Sequence, residues 1–225
     1  MDARDNVMPN ATVGGLTELE TSKVLRNTYM LLGMTLAFSA VMAFVSSLIG
    51  PVFTSPWLFL GGVFALSFLV QFTANSVWGL VSVFAMTGFI GFFIGPMIGA
   101  LLSGGFASQV MMALSLTAVT FFGLSAYAIA TKKDFSFMRG FIVVGLFVML
   151  GAIILGLLFD LGAIQTAISA GIVLLMSCLI LYQTSAIIHG GETNYILATT
   201  TLFMSIYNLF MSLLHLIMVF TGGDD

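Results

Sequence analysis

An all-α integral membrane protein, a bundle of seven transmembrane helices, is what this sequence predicts, and three observations carry the prediction. Between Arg26 and Lys132 the chain runs 105 residues without an Asp, Glu, Lys or Arg. Residues 140–159, 161–191 and 193–223 are equally free of them. The composition is 60% hydrophobic and 7% charged, with a mean hydropathy of +1.15. A water-facing surface needs charge for solubility, whereas the bilayer centre penalises each charge by about 2.5–3.5 kcal/mol. The chain therefore lives in a membrane, and a separate soluble catalytic domain has no room.

The polar head, residues 1–27, mixes Asp2, Asp5, Glu18 and Glu20 with Arg4, Lys23 and Arg26, and contains Pro9, Gly14 and Gly15. It lacks apolar periodicity and is expected to be a disordered cytoplasmic tail. The first apolar stretch, Tyr29 to Ile49, matches a span of about 20 residues and exceeds the roughly 7–15 of a cleavable signal sequence, so it is expected to be a retained helix. Gly50-Pro51 and Ser55-Pro56 end it. A second helix begins near Trp57 and ends at Thr73-Ala74-Asn75-Ser76, a third ends at Ser103-Gly104-Gly105, and a fourth at Thr131-Lys132-Lys133-Asp134. The fifth runs from about Phe137 to Phe159, the sixth from Leu161 to Ile188 and the seventh from Tyr195 to Thr221. Residues 28–221 thus form one transmembrane domain, followed by a short acidic tail, residues 222–225.

Basic residues are held on the cytoplasmic side of a membrane. With seven spans and a cytoplasmic N-terminus, Arg4, Lys23, Arg26, Lys132, Lys133 and Arg139 all fall there, leaving Asp160, Asp224 and Asp225 outside. The expected orientation is N-in, with a periplasmic C-terminus.

Polar side chains within spans are the functional candidates, because hydrocarbon offers them no partner. On the seventh helix Ser205, Asn208, Ser212 and His215 follow at spacings of three, four and three, one stripe that must face the bundle. Gln183 and Thr184 lie near the cytoplasmic end of the sixth, where antiparallel packing would bring Gln183 to a depth comparable with Ser205. Interhelical hydrogen bonding and an ion or proton pathway are both open to these residues. In the third helix Gly91, Gly95 and Gly99 recur every four residues, with Gly88 nearby, so a neighbour can approach closely. Pro96 has no N–H to donate to the preceding turn and should kink the helix, making Gly91, Gly95 and Pro96 a candidate hinge.

Between the last two helices, His189 and Glu192 do not match a zinc motif, which needs two histidines one turn apart. Gly190-Gly191 is expected to make the turn, with Thr193 or Asn194 capping the last helix and Glu192 near its positive end. Lys132, Lys133, Asp134, His189 and Glu192 are candidate contacts on the cytoplasmic loops. The spans hold neither a nucleophile beside a base, nor a carboxylate pair, nor a zinc set, so no catalytic site, metal or cofactor is expected. The single Cys178 has no partner for a disulfide within the chain. A net charge of −3 gives no basic patch for nucleic acid. No internal repeat of the transporter kind is evident.

Four segments, taken in order, resemble a known family. They are Arg26-Asn27-Thr28-Tyr29, then Gly91-Phe92-Phe93-Ile94-Gly95-Pro96, then Thr131-Lys132-Lys133-Asp134-Phe135-Ser136-Phe137, and finally His189-Gly190-Gly191-Glu192-Thr193-Asn194-Tyr195-Ile196. From Lys23 onward the chain is similar to the Bax-inhibitor family, and looks most like its YccA branch of bacterial inner-membrane proteins. The resemblance implies a seven-helix bundle whose last helix is surrounded by the other six. It implies two kinds of function. Ion-leak members use a pair of aspartates on the sixth and seventh helices as a pH-sensitive gate for calcium or protons. Here Gln183 and Ser205 stand at the matching positions, and neither can ionise. The YccA branch implies instead a partnership with the membrane-anchored AAA protease FtsH. The tail would engage the protease and the bundle would resist extraction from the lipid bilayer.

Overall fold

The computed structural model describes residues 18–50, 55–159 and 163–222. Their regular structure is helical: α1 Glu18–Ile49, α2 Pro56–Thr73, α3 Trp78–Ser103, α4 Ala107–Thr131, α5 Arg139–Leu158, α6 Ala163–Ile188 and α7 Tyr195–Thr221, with a single 3-10 turn at Ser136–Met138 leading into α5. All seven α-helices are long and apolar enough to cross a membrane.

The breakers act where the residue chemistry places them. Pro56 occupies the first turn of α2, where its missing N–H breaks no helical bond. Lys132, at φ 50°, closes α4 in the left-handed conformation and its N–H bonds back to Ala128. Gly190, at φ 71°, turns the chain between α6 and α7.

One boundary differs. Residues 18–27, expected within a loose head, are the first turns of α1. Thr21–Arg26 carries good helix formers such as Leu25, Lys23 and Arg26, and Glu20 sits near the positive helix end, so charge does not prevent helix here. At 32 residues α1 is about 48 Å long, well beyond a hydrocarbon core of about 30 Å, so hydropathy alone marks only its embedded part. Residues 1–17, Asp160 and the acidic residues Asp224 and Asp225 lie outside the described residues.

The core runs along α7, with Leu202 and Leu209 fully buried among Val83, Met86, Ile90 and Ile180. The expected ring of six helices around α7 is a ring of five: α7 packs against α1, α2, α3, α4 and α6, while α5 packs against α6. Lipid is as apolar as a protein interior, so nothing forces α5 inward. Its Phe141, Phe147 and Val148 remain exposed.

The most extensive helix pair is α1 with α3. A Cβ at Gly91 or Gly95 would overlap the backbone carbonyl oxygens of Ser39 and Ala43, and one at Gly99 would lie 3.0 Å from Ser47 Cβ. Two rows of small residues at spacing four, Ser39-Ala43-Ser47 and Gly91-Gly95-Gly99, therefore mesh between parallel helices.

Candidate functional site

The intramembrane polar side chains do not form one network. His215 Nδ1 lies 3.0 Å from Ser169 Oγ on α6. Ser205 Oγ donates to the Thr201 carbonyl at 2.8 Å, and Asn208 Nδ2 donates to the Met204 carbonyl at 2.8 Å. Both bonds close within α7, as side chains in an apolar helix do when no neighbour offers an acceptor. Gln183, only 5% exposed, leaves its Nε2 without a partner. The antiparallel register set by Ser169 and His215 brings Gln183 level with Thr201 rather than Ser205, so the two residues at the gate positions sit about one turn apart in depth. Of the four polar positions, only His215 bonds across to another helix.

A second polar set, at the end of the bundle that carries Lys132 and Lys133, is built more completely. Tyr29 Oη of α1 lies 3.1 Å from Thr184 Oγ1 of α6. Thr199 Oγ1 of α7 lies within 3.2 Å of the Thr28 carbonyl and 2.7 Å of the Tyr195 carbonyl. Thr28, Thr184, Ser185 and Thr199 are all buried. Three helices are therefore joined through hydroxyls. Hydroxyl residues beside Gln183 and at the entrance of the first span were the signal for this set, but the sequence does not say which hydroxyl meets which.

The loops close over the same end. Ser185 Oγ donates to the Lys133 carbonyl at 3.0 Å and accepts from the Phe135 N–H at 3.1 Å. His189 sets Nδ1 2.9 Å from the Ser185 carbonyl oxygen and Nε2 3.1 Å from that of Lys132. The α4–α5 loop is thus fastened to the end of α6 through its backbone, which leaves the ammonium groups of Lys132 and Lys133 on the outside. Lys133 Nζ rests 3.4 Å from Tyr127 Oη and 5.9 Å from its ring centroid. Asp134 accepts from the Ser136 N–H at 2.8 Å, and the hydrogen bonds from Ser136 hold its carboxyl below the ordinary aspartate range.

Asn194 makes the second fastening. Its Oδ1 accepts from the Ile196 and Leu197 N–H groups, capping α7, while its Nδ2 donates to the Ala74 carbonyl at 3.1 Å and to Asn75 Oδ1 at 2.9 Å in the α2–α3 loop. Glu192 accepts from the Asn194 N–H at 2.8 Å, close to the positive end of α7. Lys132, Lys133, Asp134, His189 and Glu192 therefore share one face, whereas Gly91, Gly95 and Pro96 lie inside an unbroken α3, with the two glycines packed against α1.

Comparison with known proteins identifies the family. The family model described as inhibitor of apoptosis-promoting Bax1 matches residues 21–222. An uncharacterized protein of Pseudomonas aeruginosa is 52% identical over 209 residues, covering 92% of this chain and 93% of the relative. The modulator of FtsH protease YccA of Escherichia coli K12 is 47% identical over 201 residues, covering 88% of this chain and 91% of its own. The inner membrane protein YccA of Escherichia coli O6:H1 shows the same identity and coverage. This chain belongs to the Bax-inhibitor family, as a multi-pass protein of the bacterial inner membrane.

Proposed function

We propose that this protein regulates membrane-protein quality control by binding and restraining an FtsH-type AAA protease, acting by contact and with no chemistry of its own. The observation that carries the reading is the 47% identity, over 88% of the chain, to a relative named as a modulator of that protease. The fold supports it physically. With the N-terminus in the cytoplasm, the chain before Glu18 enters the same compartment as the fastened loops, where a protease pulling on membrane substrates would meet both. Extraction is opposed by the bundle. Each buried Leu, Ile or Phe is worth about 1.5–3 kcal/mol, so pulling one span of about 20 apolar residues into water costs on the order of tens of kcal/mol. The α1–α3 seam and the hydroxyl bonds that join Tyr29 to Thr184 and the Thr28 carbonyl to Thr199 make the first span hard to remove by itself.

Co-purification from native membrane tests this. The full-length chain should bring the protease down, and a chain lacking residues 2–17 should recover about tenfold less of it, the loss of roughly 1.4 kcal/mol of binding. Equal recovery from both chains would remove the tail from the mechanism.

A pH-sensitive leak of calcium or protons is the second reading, favoured by one observation: Gln183 Nε2 and Thr28 Oγ1 are buried without partners, and each could bond a transient water on a path through the bundle. Flux through purified protein in liposomes, abolished by Gln183→Ala with Asn208→Ala, would establish it in place of the first.

A further inference from the structure

His189 follows the last residue of α6 and sets both ring nitrogens against backbone carbonyl oxygens. Nδ1 is 2.9 Å from that of Ser185, and Nε2 is 3.1 Å from that of Lys132. A carbonyl oxygen only accepts, and a neutral imidazole carries a single N–H. Either neutral tautomer therefore turns a nitrogen lone pair onto a carbonyl oxygen. The Ser185 hydroxyl, 3.3 Å from Nδ1, does not relieve this. Its one proton goes to the Lys133 carbonyl; given to the ring instead, it would leave that carbonyl unpaired and the Ser185 carbonyl still facing the ring's lone pair. The doubly protonated imidazolium satisfies both oxygens at once. The location favours that charge, because α4 and α6 both finish there and bring the negative ends of two helices to the ring.

We propose that His189 is a proton-operated latch, which as an imidazolium ties the C-terminal end of α6 to that of α4 and on losing one proton releases the α4–α5 loop. A neutral ring keeps one donor. The shorter bond, to Ser185 one turn back on its own helix, requires no loop to be held in place, so the bond across to Lys132 is the one given up. Lys132 is set to move once its carbonyl is free. At φ 50° it is the non-glycine residue with positive φ among the described residues, a conformation that crowds its Cβ against the following carbonyl. Charges of both signs surround the ring. The α4–α5 loop brings Lys132, Lys133 and Asp134, the start of α5 brings Arg139, and the α6–α7 connection brings Glu192. From α1 come Glu20, Lys23 and Arg26, beside Thr21, Ser22 and Leu25, which line a crevice together with Lys132 and His189. The phenols nearby are Tyr127 on α4 and Tyr182 two turns back on α6. Asp134 acts on the ring through space: its carboxyl is held below the ordinary aspartate range first by hydrogen bonds from Ser136 and to a smaller extent by the charge of His189. It therefore stays ionised where histidines titrate, which leaves the proton change to the ring. The latch uses neither Gln183 nor Ser205, and it does not depend on the protease reading, because it follows from the surroundings of one ring.

The test uses the full chain in phospholipid nanodiscs, with the nitrogens of its two histidine rings isotopically labelled and read by NMR at about pH 5 and about pH 9, on either side of the histidine range. Removing either histidine assigns the signals. In acid both ring nitrogens of His189 are expected to carry protons, and in base only Nδ1. The fastening is read at the Phe135 amide, which donates to Ser185 Oγ. Its protection from hydrogen exchange, corrected for the intrinsic effect of pH, should be about tenfold lower in base, the loss of one charge-assisted hydrogen bond. The amide of Leu209, fully buried on α7, should show no such change. In His189→Gln, whose neutral amide takes up no proton, the difference at Phe135 should vanish. The inference is overturned if the ring carries a single proton in acid, or if in base it keeps both protons or only the one on Nε2. It is also overturned if Phe135 is equally protected in acid and base, or if the difference survives in His189→Gln. The ring signals are read on the unsubstituted residue, so they decide the matter even if that variant does not fold.

Discussion

The amide of Gln183 is an expense inside the bundle: its Nε2 has no acceptor although the residue is 5% exposed, and an unmet buried donor costs about 1–3 kcal/mol. Gln183→Met keeps the shape and removes the donor, so it should raise stability by roughly 1 kcal/mol in detergent unfolding. A loss of similar size would show that the amide is bound to water or an ion, in favour of the leak reading. Asn194 is the opposite case, with every amide function used. Asn194→Ala removes the α7 cap and the tie to the α2–α3 loop, and should cost about 2–3 kcal/mol from the cap plus the lost hydrogen bonds. Asp134 gives the pH dependence. Because its folded carboxyl is held below the ordinary value by Ser136, it supports the turn above the unfolded aspartate range of about 3.9 and loses that support as pH falls through the lowered value. Amide exchange at Ser136 should therefore quicken in acid, and Asp134→Asn should blunt the change. At this scale the sequence disclosed which side chains were polar, since a Gln or His among apolar residues is conspicuous. It did not disclose pairings: His215 found Ser169, and Gln183 found no donor's partner, because those outcomes depend on helix rotation and depth.

Among the elements, the α1–α3 seam is the most sensitive to a single methyl group. Gly95→Ala would drive a Cβ into the Ala43 carbonyl, which cannot yield without separating the helices, and should destabilise the protein by about 1–3 kcal/mol. Gly123 in α4 is the control. It has open space around its Cβ position, so Gly123→Ala should stabilise by about 0.5–1 kcal/mol through helix propensity alone. Thermal unfolding of the two variants should give shifts of opposite sign, and equal shifts would mean that the seam is not under close contact. The seven spans were legible because Pro, Gly and charge interrupt the apolar run at bilayer intervals. The glycine row on α3 was legible too, while its complement Ser39-Ala43-Ser47 was not, since small residues in an apolar span are common and only the parallel α1–α3 packing makes them a row. The early start of α1 was missed because hydropathy reports where a helix is in lipid, not where its hydrogen bonds begin.

Taken whole, the molecule is asymmetric along the membrane normal. One end is fastened, with Ser185 and His189 holding the α4–α5 loop and Asn194 holding the α2–α3 loop, whereas α1 and α4 separate further along the bundle. The peripheral seat of α5 was not legible, because lipid and protein interior are equally apolar and leave no amphipathic pattern to read. A bundle fastened at the end where α1 begins suits, on the reading proposed above, a protein that a membrane protease can seize and cannot readily unfold. The most direct measurement is the turnover of a defined membrane substrate by purified FtsH-type protease in liposomes, with increasing amounts of this protein, full length or lacking residues 2–17. The full chain should slow substrate turnover while itself being degraded slowly, and the truncated chain should leave turnover unchanged. Equal inhibition by both chains, or no inhibition by the full one, would contradict the account.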